Sequence, residues 1–510
     1  MHPCLANPDI QSLIFRYFGA TVHSQGVRDD LHSMNALPVL ARTCRAFTET
    51  ALSVLWLSLP NVVPLVKVMP SHLWSGIDKT RTRVYILMFT STPASTDWER
   101  FDYYARKVQA LGFYSLAGPL WNIDNNVMTT LAAHCSARPL LPNIREISFS
   151  QRAPQRPESV SLEFAQCLLS ENITHLAITG GYPTVTLIDA IRRICPKIET
   201  LDIDLDRALE FAVVTAMKHL VCALSHLQDI RVSIMRPRKF QLERDALYHI
   251  GMLPSVKKFA TGLMTPDELQ GLASQDNCFP SLLSFSFAVE SLEEAVPVLN
   301  IVTRPLTSLT VTLSRTAKPT SSPIQLYYFV ENVLLHPCHA SLTHFKLTES
   351  NVFLFDSYPS HGPTDMRVLF HLPAIESIDI HPEIELSTGV DDAWLAIAAS
   401  TWPRLRVLKL GQTQTTLAGY VPLIRGCPLL EEISITSVWA PFDVRGLDPF
   451  LGNTRIEYID IVRTQIEGEV LAVLRCLLLL FPRLRGFHKD FGGGDWDILQ
   501  NYLDISLRCG

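Results

Sequence analysis

A short phrase recurs along most of this 510-residue chain. It consists of an apolar residue, often followed by proline, and then of aliphatic residues separated first by two positions and then by one. Thirteen copies align on their middle aliphatic residue, with 24 to 36 residues between successive copies. One copy carries little information, but thirteen in near register predict a protein built from repeats. The middle aliphatic residues are Ile147, Leu176, Leu201, Ile230, Phe259, Phe285, Leu309, Phe345, Ile378, Leu408, Ile433, Ile459 and Phe487.

Each copy of the phrase alternates apolar and polar residues, which is typical of a strand buried on one face. The segments between copies instead carry apolar residues at helical spacing, as in residues 187–195, 215–224 and 470–481. Proline at the start of many copies ends the preceding helix and begins the turn into the strand. One strand and one helix in roughly 28 residues form the unit of a leucine-rich repeat. Such units bury their apolar faces only by stacking on one another.

We therefore expect an α/β fold dominated by an irregular leucine-rich-repeat solenoid, a horseshoe or arc, over residues 141–510. Residues 61–140 are predicted to be a connecting region of degenerate first repeats. Within this region, Trp98 and Tyr104 belong to an apolar stripe at helical spacing, which fits either internal packing or an aromatic binding surface. Residues 1–60 follow a different pattern and are predicted to form a separate, all-α head.

The head carries three short helical patterns. The first begins at Pro8, which favours a helix start, and places apolar residues at helical spacing as far as Phe18. A polar stretch, residues 19–35, separates it from two further apolar patterns over residues 37–43 and 45–56. This spacing predicts a head of three short helices.

The head resembles an F-box. The similarity is carried by the phrase PDIxxxIFxxF, by the phrase LARTCRAF and by the closing phrase ALxxLW. Because an F-box docks on a Skp-type adaptor, the resemblance implies a set of adaptor-binding residues. These are Leu5, Pro8, Asp9, Ile10, Ile14, Phe15, Leu40, Cys44, Phe47, Leu55 and Trp56.

F-box proteins with leucine-rich repeats are generally substrate receptors of SCF-type ubiquitin ligases. The resemblance therefore implies a non-catalytic substrate-recognition subunit of an SCF-type E3 ligase. Its head would dock a Skp-type adaptor, and through it a cullin-RING ligase, while its repeats bind a protein for ubiquitin-dependent degradation. Two alternatives stay open. The head fits a helical cap on the first repeat, because solenoids need polar-faced caps, and the chain also fits an interaction scaffold with no ligase association.

Composition and charge restrict the cellular compartment and the classes of partner that we expect. The formal net charge is −6, which gives no overall drive toward nucleic acid or an anionic membrane, and we expect neither as a partner. The 11 cysteines form no C-x-x-C pair, so we interpret them as reduced residues of a cytoplasmic or nuclear protein. The N-terminus lacks the basic and apolar regions of a signal peptide.

The sequence contains no nucleophile elbow, phosphate-binding loop or zinc-protease motif. We therefore expect a protein that is not an enzyme and needs no cofactor. The densest group of possible metal ligands is His336, Cys338 and His339. No second cluster supplies a fourth ligand at a usual spacing, so we predict no metal site.

If the phrases are strands, the residue after each middle aliphatic residue points away from the core, on the concave face of the solenoid. The charged residues at these positions have both signs, which suits a protein partner better than a nucleic-acid backbone. Solvated sheet residues without a binding role fit the same pattern at most single positions. The candidate substrate-binding residues are Asp202, Arg231, Lys346, Asp379, Lys409 and Asp460.

Overall fold

The structure is a computed structural model of the chain. Two compact units divide it, Met1–Ser255 and Val256–Gly510. The described residues are 7–18, 36–78, 84–112, 120–135, 139–150, 162–180, 184–205, 211–234, 244–265, 269, 272, 278–314, 323–350, 366–380, 390–439, 441, 452–461, 465–489 and 495–509.

The first unit contains the head and the first group of strand–helix repeats. Its helices are α1 (Pro8–Arg16), α2 (Ala36–Thr43), α3 (Arg45–Leu55), α4 (Val63–Lys67), α5 (Trp98–Ala105), α6 (Asn125–His134), α7 (Leu162–Leu168), α8 (Val185–Ile194), α9 (Phe211–Ala223) and α10 (Arg244–Met252), with short 3₁₀ helices at Ser71–Leu73 and Ser95–Asp97. Its strands are β1 (Ser58–Leu59), β2 (Trp74–Asp78), β3 (Val84–Phe89), β4 (Ala110–Gly112), β5 (Leu120–Ile123), β6 (Glu146–Ser150), β7 (His175–Thr179), β8 (Thr200–Leu205) and β9 (Asp229–Ile234).

Side-chain caps fix the start of several of these helices. Asn7, Asp124 and Thr184 each occupy the position before a helix, in extended backbone conformation. Their side-chain oxygens accept backbone N–H groups of the first turn at 2.8, 2.9 and 3.2 Å, respectively. Each cap satisfies a donor that the helix itself leaves without a partner.

The main sheet of the first unit is parallel, with strand order β1-β4-β6-β7-β8-β9. Its register pairs Ile147 with Leu176, Leu176 with Leu201, and Leu201 with Ile230. These are the residues on which the phrase was aligned in the sequence. The predicted alternation of strand and helix, with the middle aliphatic residues in register, is therefore confirmed here.

Two strands of this sheet precede the first recognisable phrase. Leu59 of β1 pairs with Leu111 of β4, and Leu111 pairs with Ile147. The repeats thus begin with β1, which lies inside residues 1–60 that we assigned to the head. Strand β4 lies in residues 61–140, where we predicted degenerate first repeats. Both strands are short, so they present too few residues for the periodic pattern to appear.

A backbone signature marks the start of β4 and of β6 to β9. Two consecutive N–H groups share the carbonyl directly before the preceding strand, as Thr174 and His175 do with the Arg145 oxygen at 2.8 and 3.0 Å. Gln109 and Ala110 make the same pair of bonds to the Leu57 oxygen at 2.8 and 3.0 Å. This shared geometry identifies residue 57 as the beginning of the first repeat.

A separate three-stranded sheet, β2-β3-β5, is formed by two strands that precede β4 in the sequence and one that follows it. Strands β2 and β3 are antiparallel, while β3 and β5 are parallel. Tyr85 stacks on Trp121 with ring centroids 4.9 Å apart, and the Lys67 ammonium lies 3.3 Å from the Trp121 ring centroid. The neighbouring apolar stripe is packed rather than open, because Trp98 and Phe101 are buried.

The second unit continues the alternation of strand and helix. Its helices are α11 (Leu292–Leu299), α12 (Pro323–Leu335), α13 (Asp392–Thr401), α14 (Tyr420–Gly426), α15 (Val470–Leu480) and α16 (Asp495–Cys509), with 3₁₀ helices at Pro337–Ala340, Met366–His371 and Leu417–Gly419. Its strands are β10 (Lys258–Leu263), β11 (Ser284–Val289), β12 (Ser308–Ser314), β13 (His344–Ser350), β14 (Ser377–Ile380), β15 (Val407–Thr416), β16 (Glu432–Trp439), β17 (Tyr458–Ile461), β18 (Gln465–Ile466) and β19 (Gly486–Lys489).

The sheet of the second unit is also parallel. Strands β10 to β17 follow one another in sequence order, β19 comes next, and β18 pairs with β16 off this path. The middle aliphatic residues pair from Phe259 through Ile433, and Ile459 pairs with Phe487. Each unit is therefore an α/β stack of leucine-rich-repeat type.

Buried polar side chains tie successive repeats together at the turn from helix to strand. The Trp402 indole N–H donates to the Leu372 carbonyl at 2.8 Å, and the Cys427 thiol donates to the Trp402 carbonyl at 3.3 Å. Asn453 donates from its side-chain amide to the Leu430 carbonyl at 2.9 Å. These bonds satisfy backbone carbonyls in the buried turns between helix and strand.

The last helix covers the last strand. The Gln500 side-chain oxygen accepts the Phe487 N–H at 3.2 Å, and the Gln500 amide donates to Asp504 at 2.7 Å. Helix α16 buries Leu499 and Leu503 beneath it. The Gln500 side chain thus satisfies a backbone donor of β19. An unpaired N–H group at a sheet edge is otherwise available for pairing with another chain.

Candidate interaction surfaces

The head has its own small core. Phe15, Leu37, Ala51 and Val54 are buried there, and the Phe15 ring meets the Phe47 ring edge to face at 5.5 Å. Leu40, Phe47 and Leu55 are partly buried against this cluster. Of the residues that the F-box resemblance assigns to adaptor binding, Phe15 therefore belongs to the core, and these three pack against it.

One side of α1 is apolar and exposed. Ile10, Leu13, Ile14 and Tyr17 have exposed fractions of 36, 69, 41 and 90%. Their spacing of three and four residues places them on one face of the helix. We call these four residues the head patch.

The head patch includes two residues that the resemblance did not assign, Leu13 and Tyr17. Helical spacing from Ile10 and Ile14 was the signal that could have found them. Pro8 and Asp9, which the resemblance did assign, are exposed at the start of the same helix. Leu5 lies outside the described residues.

The remaining two assigned residues lie at the ends of α3. Cys44 occupies the position before the helix, and Trp56 follows its last turn. The Trp56 ring stacks on Tyr104 of α5 at a centroid distance of 4.3 Å. Trp56 therefore joins the head to the first repeats.

A polar cluster reinforces this junction. The Tyr103 hydroxyl donates to one Glu49 oxygen at 2.6 Å, and the Lys107 ammonium bonds the other. The Lys107 ammonium also lies 4.6 Å from the Tyr103 ring centroid. The bonds from Lys107 and Tyr103 lower the pKa of Glu49, and the bond to Glu49 raises the pKa of Tyr103. The ionised carboxylate is thus the form that joins the two elements.

In both units, the side of the sheet opposite the buried aliphatic residues carries polar and small side chains, and we call it the open face. In the first unit it contains two of the candidate substrate-binding residues. The Arg231 guanidinium lies 3.9 Å from the Asp202 carboxylate, and the two residues sit side by side on β9 and β8. Asp202 is only 8% exposed, so Arg231 is the more accessible member of the pair.

In the second unit the candidate residues also pair with neighbours. The Lys346 ammonium lies 2.5 Å from the Asp379 carboxylate on the adjacent strand. The Lys409 ammonium lies 2.6 Å from Glu432, which was not among the candidate substrate-binding residues. Asp460 lies on β17 beside Ser434, but its side chain is outside the described set. The open face thus carries local ion pairs of mixed sign.

Strands β11 and β12 contribute an uncharged part of the open face. Ser284, Ser286, Ser308 and Thr310 are half-buried there and lie in register. Further along, the hydroxyls of Thr312 and Thr348 lie 3.0 Å apart. This part of the face offers hydroxyl donors and acceptors and no formal charge.

The side chains of His336 and Cys338 are buried and contribute to packing and hydrogen bonding within the fold. The His336 Nδ1 accepts the Cys338 backbone N–H at 3.2 Å, so its Nε2 carries the hydrogen and donates to the Val302 carbonyl. Burial lowers the pKa of His336, which keeps the ring neutral, and raises the pKa of Cys338 to about 12. Burial also raises the pKa of Cys195 and Cys427 to about 12. The thiols at these positions are therefore protonated packing residues, not nucleophiles.

The described residues contain no group of three or more histidine, cysteine or acidic side chains placed to hold a metal ion. A shallow groove of about 380 Å³ lies between α13 and α14. Its lining residues are Ala396, Ala399, Ser400, Val421, Pro422, Arg425 and Gly426. Arg425 is the single ionisable side chain among them, so the groove holds no acid–base pair. None of the helices in the described part of the chain has the length and apolar character needed to span a bilayer.

Comparison with known proteins gives only distant structural matches. No known protein family and no curated protein matches the chain. Solved structures do match, among them TLR13 in its complex with ssRNA13, at 13% identity and a TM-score of 0.35 over 76% of this chain. The plant peptide hormone receptor RGFR1, in complex with RGF2, matches at 13% identity and a TM-score of 0.30, also over 76% of this chain.

These matches cover 54% of the TLR13 chain and 60% of the RGFR1 chain, so this chain spans less than two thirds of either. The assignment of the repeat fold rests on the strand register and not on these superpositions.

Proposed function

We propose that this protein is the substrate-recognition subunit of an SCF-type E3 ubiquitin ligase. The head would bind a Skp-type adaptor, and through it a cullin-RING ligase, while the open face of the repeats binds a protein substrate. One observation carries the proposal. Four large apolar side chains of the head patch are exposed on a helix whose opposite side is packed into the head core.

Exposed apolar residues on one face are the expected surface for a partner that excludes water. Burying a leucine or isoleucine side chain contributes about 1.5–3 kcal/mol relative to leaving it exposed. Losing one such contact would weaken adaptor binding by about tenfold or more, since about 1.4 kcal/mol corresponds to a factor of ten. A single substitution in the head patch is therefore a sufficient test.

The test is calorimetric titration of the full-length protein with a recombinant Skp-type adaptor. Leu13→Asp should abolish or strongly weaken binding, because it places a charge at the 69% exposed leucine of the patch. Ser12→Asp adds the same charge on a different side of α1 and should leave the affinity unchanged. Folding of both variants is checked by circular dichroism. The proposal fails if the folded wild-type protein binds no adaptor, or if Leu13→Asp binds as tightly as wild type.

In this proposed role the protein is not itself an enzyme and needs no cofactor. It would deliver substrates for ubiquitin-dependent degradation in the cytoplasm or nucleus, where the ligase acts. Protein partners are favoured over nucleic acid or a membrane surface, because the open face mixes Arg231, Lys346 and Lys409 with acidic neighbours.

A second candidate is an interaction scaffold without a ligase, in which the open face binds partners regardless of the head. The ion pairs and hydroxyl groups of the open face favour it, since none of them involves head residues. Affinity purification of wild type and of Leu13→Asp, followed by mass spectrometry, separates the two roles. A ligase subunit loses its adaptor and cullin but keeps its substrates, whereas a scaffold shows neither adaptor nor cullin in the wild-type sample.

A further inference from the structure

Arginines cluster at the edge of the second unit where its last strands begin. The tetrapeptide Pro-Arg-Leu-Arg occurs twice there, at residues 403–406 and 482–485. Both copies lie directly before a strand, β15 or β19. A further arginine stands at the equivalent position before β17. We call this set the arginine edge, and its members are Arg404, Arg406, Arg455, Arg483 and Arg485.

Shared carboxylates connect the first three of these arginines. Arg404 and Arg406 both pair with Glu376, and the Arg406 guanidinium lies 3.9 Å from the Glu376 carboxylate. Arg406 and Arg455 both bond one oxygen of Glu431, at 3.2 and 3.1 Å. Three guanidinium groups and two carboxylates therefore form one continuous chain of contacts.

The next strands extend the same edge. Arg485 lies 3.5 Å from Glu457, and Arg483 is exposed two residues earlier. The arginine edge thus contains five guanidinium groups and contacts three carboxylates, those of Glu376, Glu431 and Glu457. The formal net charge of the whole protein is −6. A local excess of positive charge stands out against this acidic background.

Folding of the repeats does not require these charges. Strands β11 to β13 have Leu283, Thr307 and Thr343 at the position directly before the strand, where β14 to β17 and β19 have Glu or Arg. Their backbone makes the same paired N–H bonds to the preceding strand, for example to the Leu283 oxygen at 2.8 and 3.1 Å. The repeat is therefore built equally well without ion pairs at this edge.

The arginine side chains also remain accessible. The Arg404 and Arg485 side chains are 74 and 61% exposed. Ion pairs at such exposed sites contribute little to stability. Each guanidinium has five N–H donors, and the carboxylates nearby use only part of them. The edge is thus able to accept further anionic groups.

We propose that the arginine edge docks an acidic segment of a partner protein, rich in aspartate and glutamate. Arginine binds carboxylates through two parallel hydrogen bonds, which suits a row of guanidinium groups. The interleaved glutamates favour a protein segment over a nucleic acid, because a phosphate backbone requires a uniformly basic stripe. This surface is distinct from the head patch and from the open face, and its role does not depend on a ligase.

The geometry sets the length of the segment. Neighbouring strands are about 4.8 Å apart, so the five strands that form the edge, β14, β15, β16, β17 and β19, span roughly 19 Å. An extended chain advances about 3.3 Å per residue, and about six residues would follow the whole edge. A peptide of about ten residues is therefore long enough to test.

The test measures binding of a fluorescent peptide of alternating glutamate and aspartate, by anisotropy, to the full-length protein at low ionic strength. The triple variant Arg404→Gln, Arg406→Gln and Arg485→Gln should bind about tenfold more weakly, with each exposed contact contributing a modest share. A control with the same loss of charge replaces three exposed arginines of the first unit by glutamine. They are Arg100, Arg192 and Arg244.

A second variant should act in the opposite direction. Glu431→Gln removes a carboxylate that competes for Arg406 and Arg455, so it should tighten binding by about threefold. A purely structural role for the ion pairs predicts no gain from this change. The proposal is overturned if the wild-type protein does not bind the peptide, or if the triple variant and its control bind equally. It is also overturned if single-stranded RNA of equal charge binds more tightly than the peptide.

Discussion

The head and the repeats bury their apolar side chains by different geometric rules. In the repeats a strand alternates, so Phe285 and Phe287 are buried while Ser286 between them lies on the open face. In the head, α1 is flanked by the core on one side only, and consecutive apolar residues differ in burial. Phe15 is buried, whereas Ile14 is 41% exposed. Exposed apolar groups thus lie on one side of α1 in the head, while the open face of the repeats carries polar and charged residues.

The largest effect is expected from a core residue of the repeats. Phe285 is fully buried and lies 4.7 Å from Phe287 and 5.9 Å from Phe259, measured between ring centroids. Phe285→Ala should lower the free energy of unfolding by about 4 kcal/mol, because it removes a large side chain and leaves a cavity. Chemical denaturation followed by circular dichroism measures the change.

Ser286→Ala is the matched control on the open face of the same strand. It should change the free energy of unfolding by less than about 0.5 kcal/mol, because it removes a half-buried hydroxyl and opens no cavity. Equal losses for the two variants would contradict the assignment of faces on β11.

The next largest effect is expected in the head. Phe15→Ala should destabilise the head by about 3 kcal/mol, since Phe15 is 4% exposed and contacts Phe47. Leu13→Ala, at a 69% exposed residue two positions earlier, should be nearly neutral. Hydrogen exchange of the head amides measures both. If Leu13→Ala also accelerates exchange, the head patch is part of the core, and the head does not differ from the repeats in exposing apolar groups.

The repeats could be predicted from the sequence in detail, because a strand has a fixed period. Aligning the phrase gave the register of Leu309, Phe345 and Ile378 without any knowledge of the structure. The same method missed β1 and β4, since strands of two and three residues contain no period.

The surfaces were less predictable. The F-box resemblance assigned Phe15 and Trp56 to a binding role, although one packs in the core and the other stacks on Tyr104. Resemblance identifies positions but does not say which way each side chain faces. The open-face residues were placed correctly on their strands, but their ion pairs, such as Lys409 with Glu432, depend on side-chain reach that a sequence does not contain.

A smaller effect is expected at the junction between the head and the first repeats, and it depends on pH. The folded-state pKa of Glu49 lies below its ordinary value of 4.5, because Lys107 and Tyr103 bond the carboxylate. Its contribution is therefore present above about pH 4.5 and is lost as the pH falls through the folded-state pKa. Because the Glu49 side chain is 66% exposed, the expected contribution is only about 0.5 kcal/mol.

Other carboxylates titrate in the same range, so the measurement compares wild type with Glu49→Gln. Hydrogen exchange in α3 and α5 should be faster in the variant at about pH 7, and the difference should disappear once the pH has fallen below the folded-state pKa of Glu49. A difference that persists at low pH would show that Glu49 acts through packing and not through its charge.

The smallest effect is expected for the ion pairs of the open face. A double-mutant cycle on Lys346→Ala and Asp379→Ala should give a coupling energy of about 0.3 kcal/mol, because the Lys346 side chain is 46% exposed. The coupling should fall further at high salt, which screens exposed charges. A coupling above about 2 kcal/mol would mean that the pair stabilises the sheet, as buried pairs do. A small value instead leaves both residues replaceable without loss of fold, so any effect of these substitutions on a partner reports binding alone.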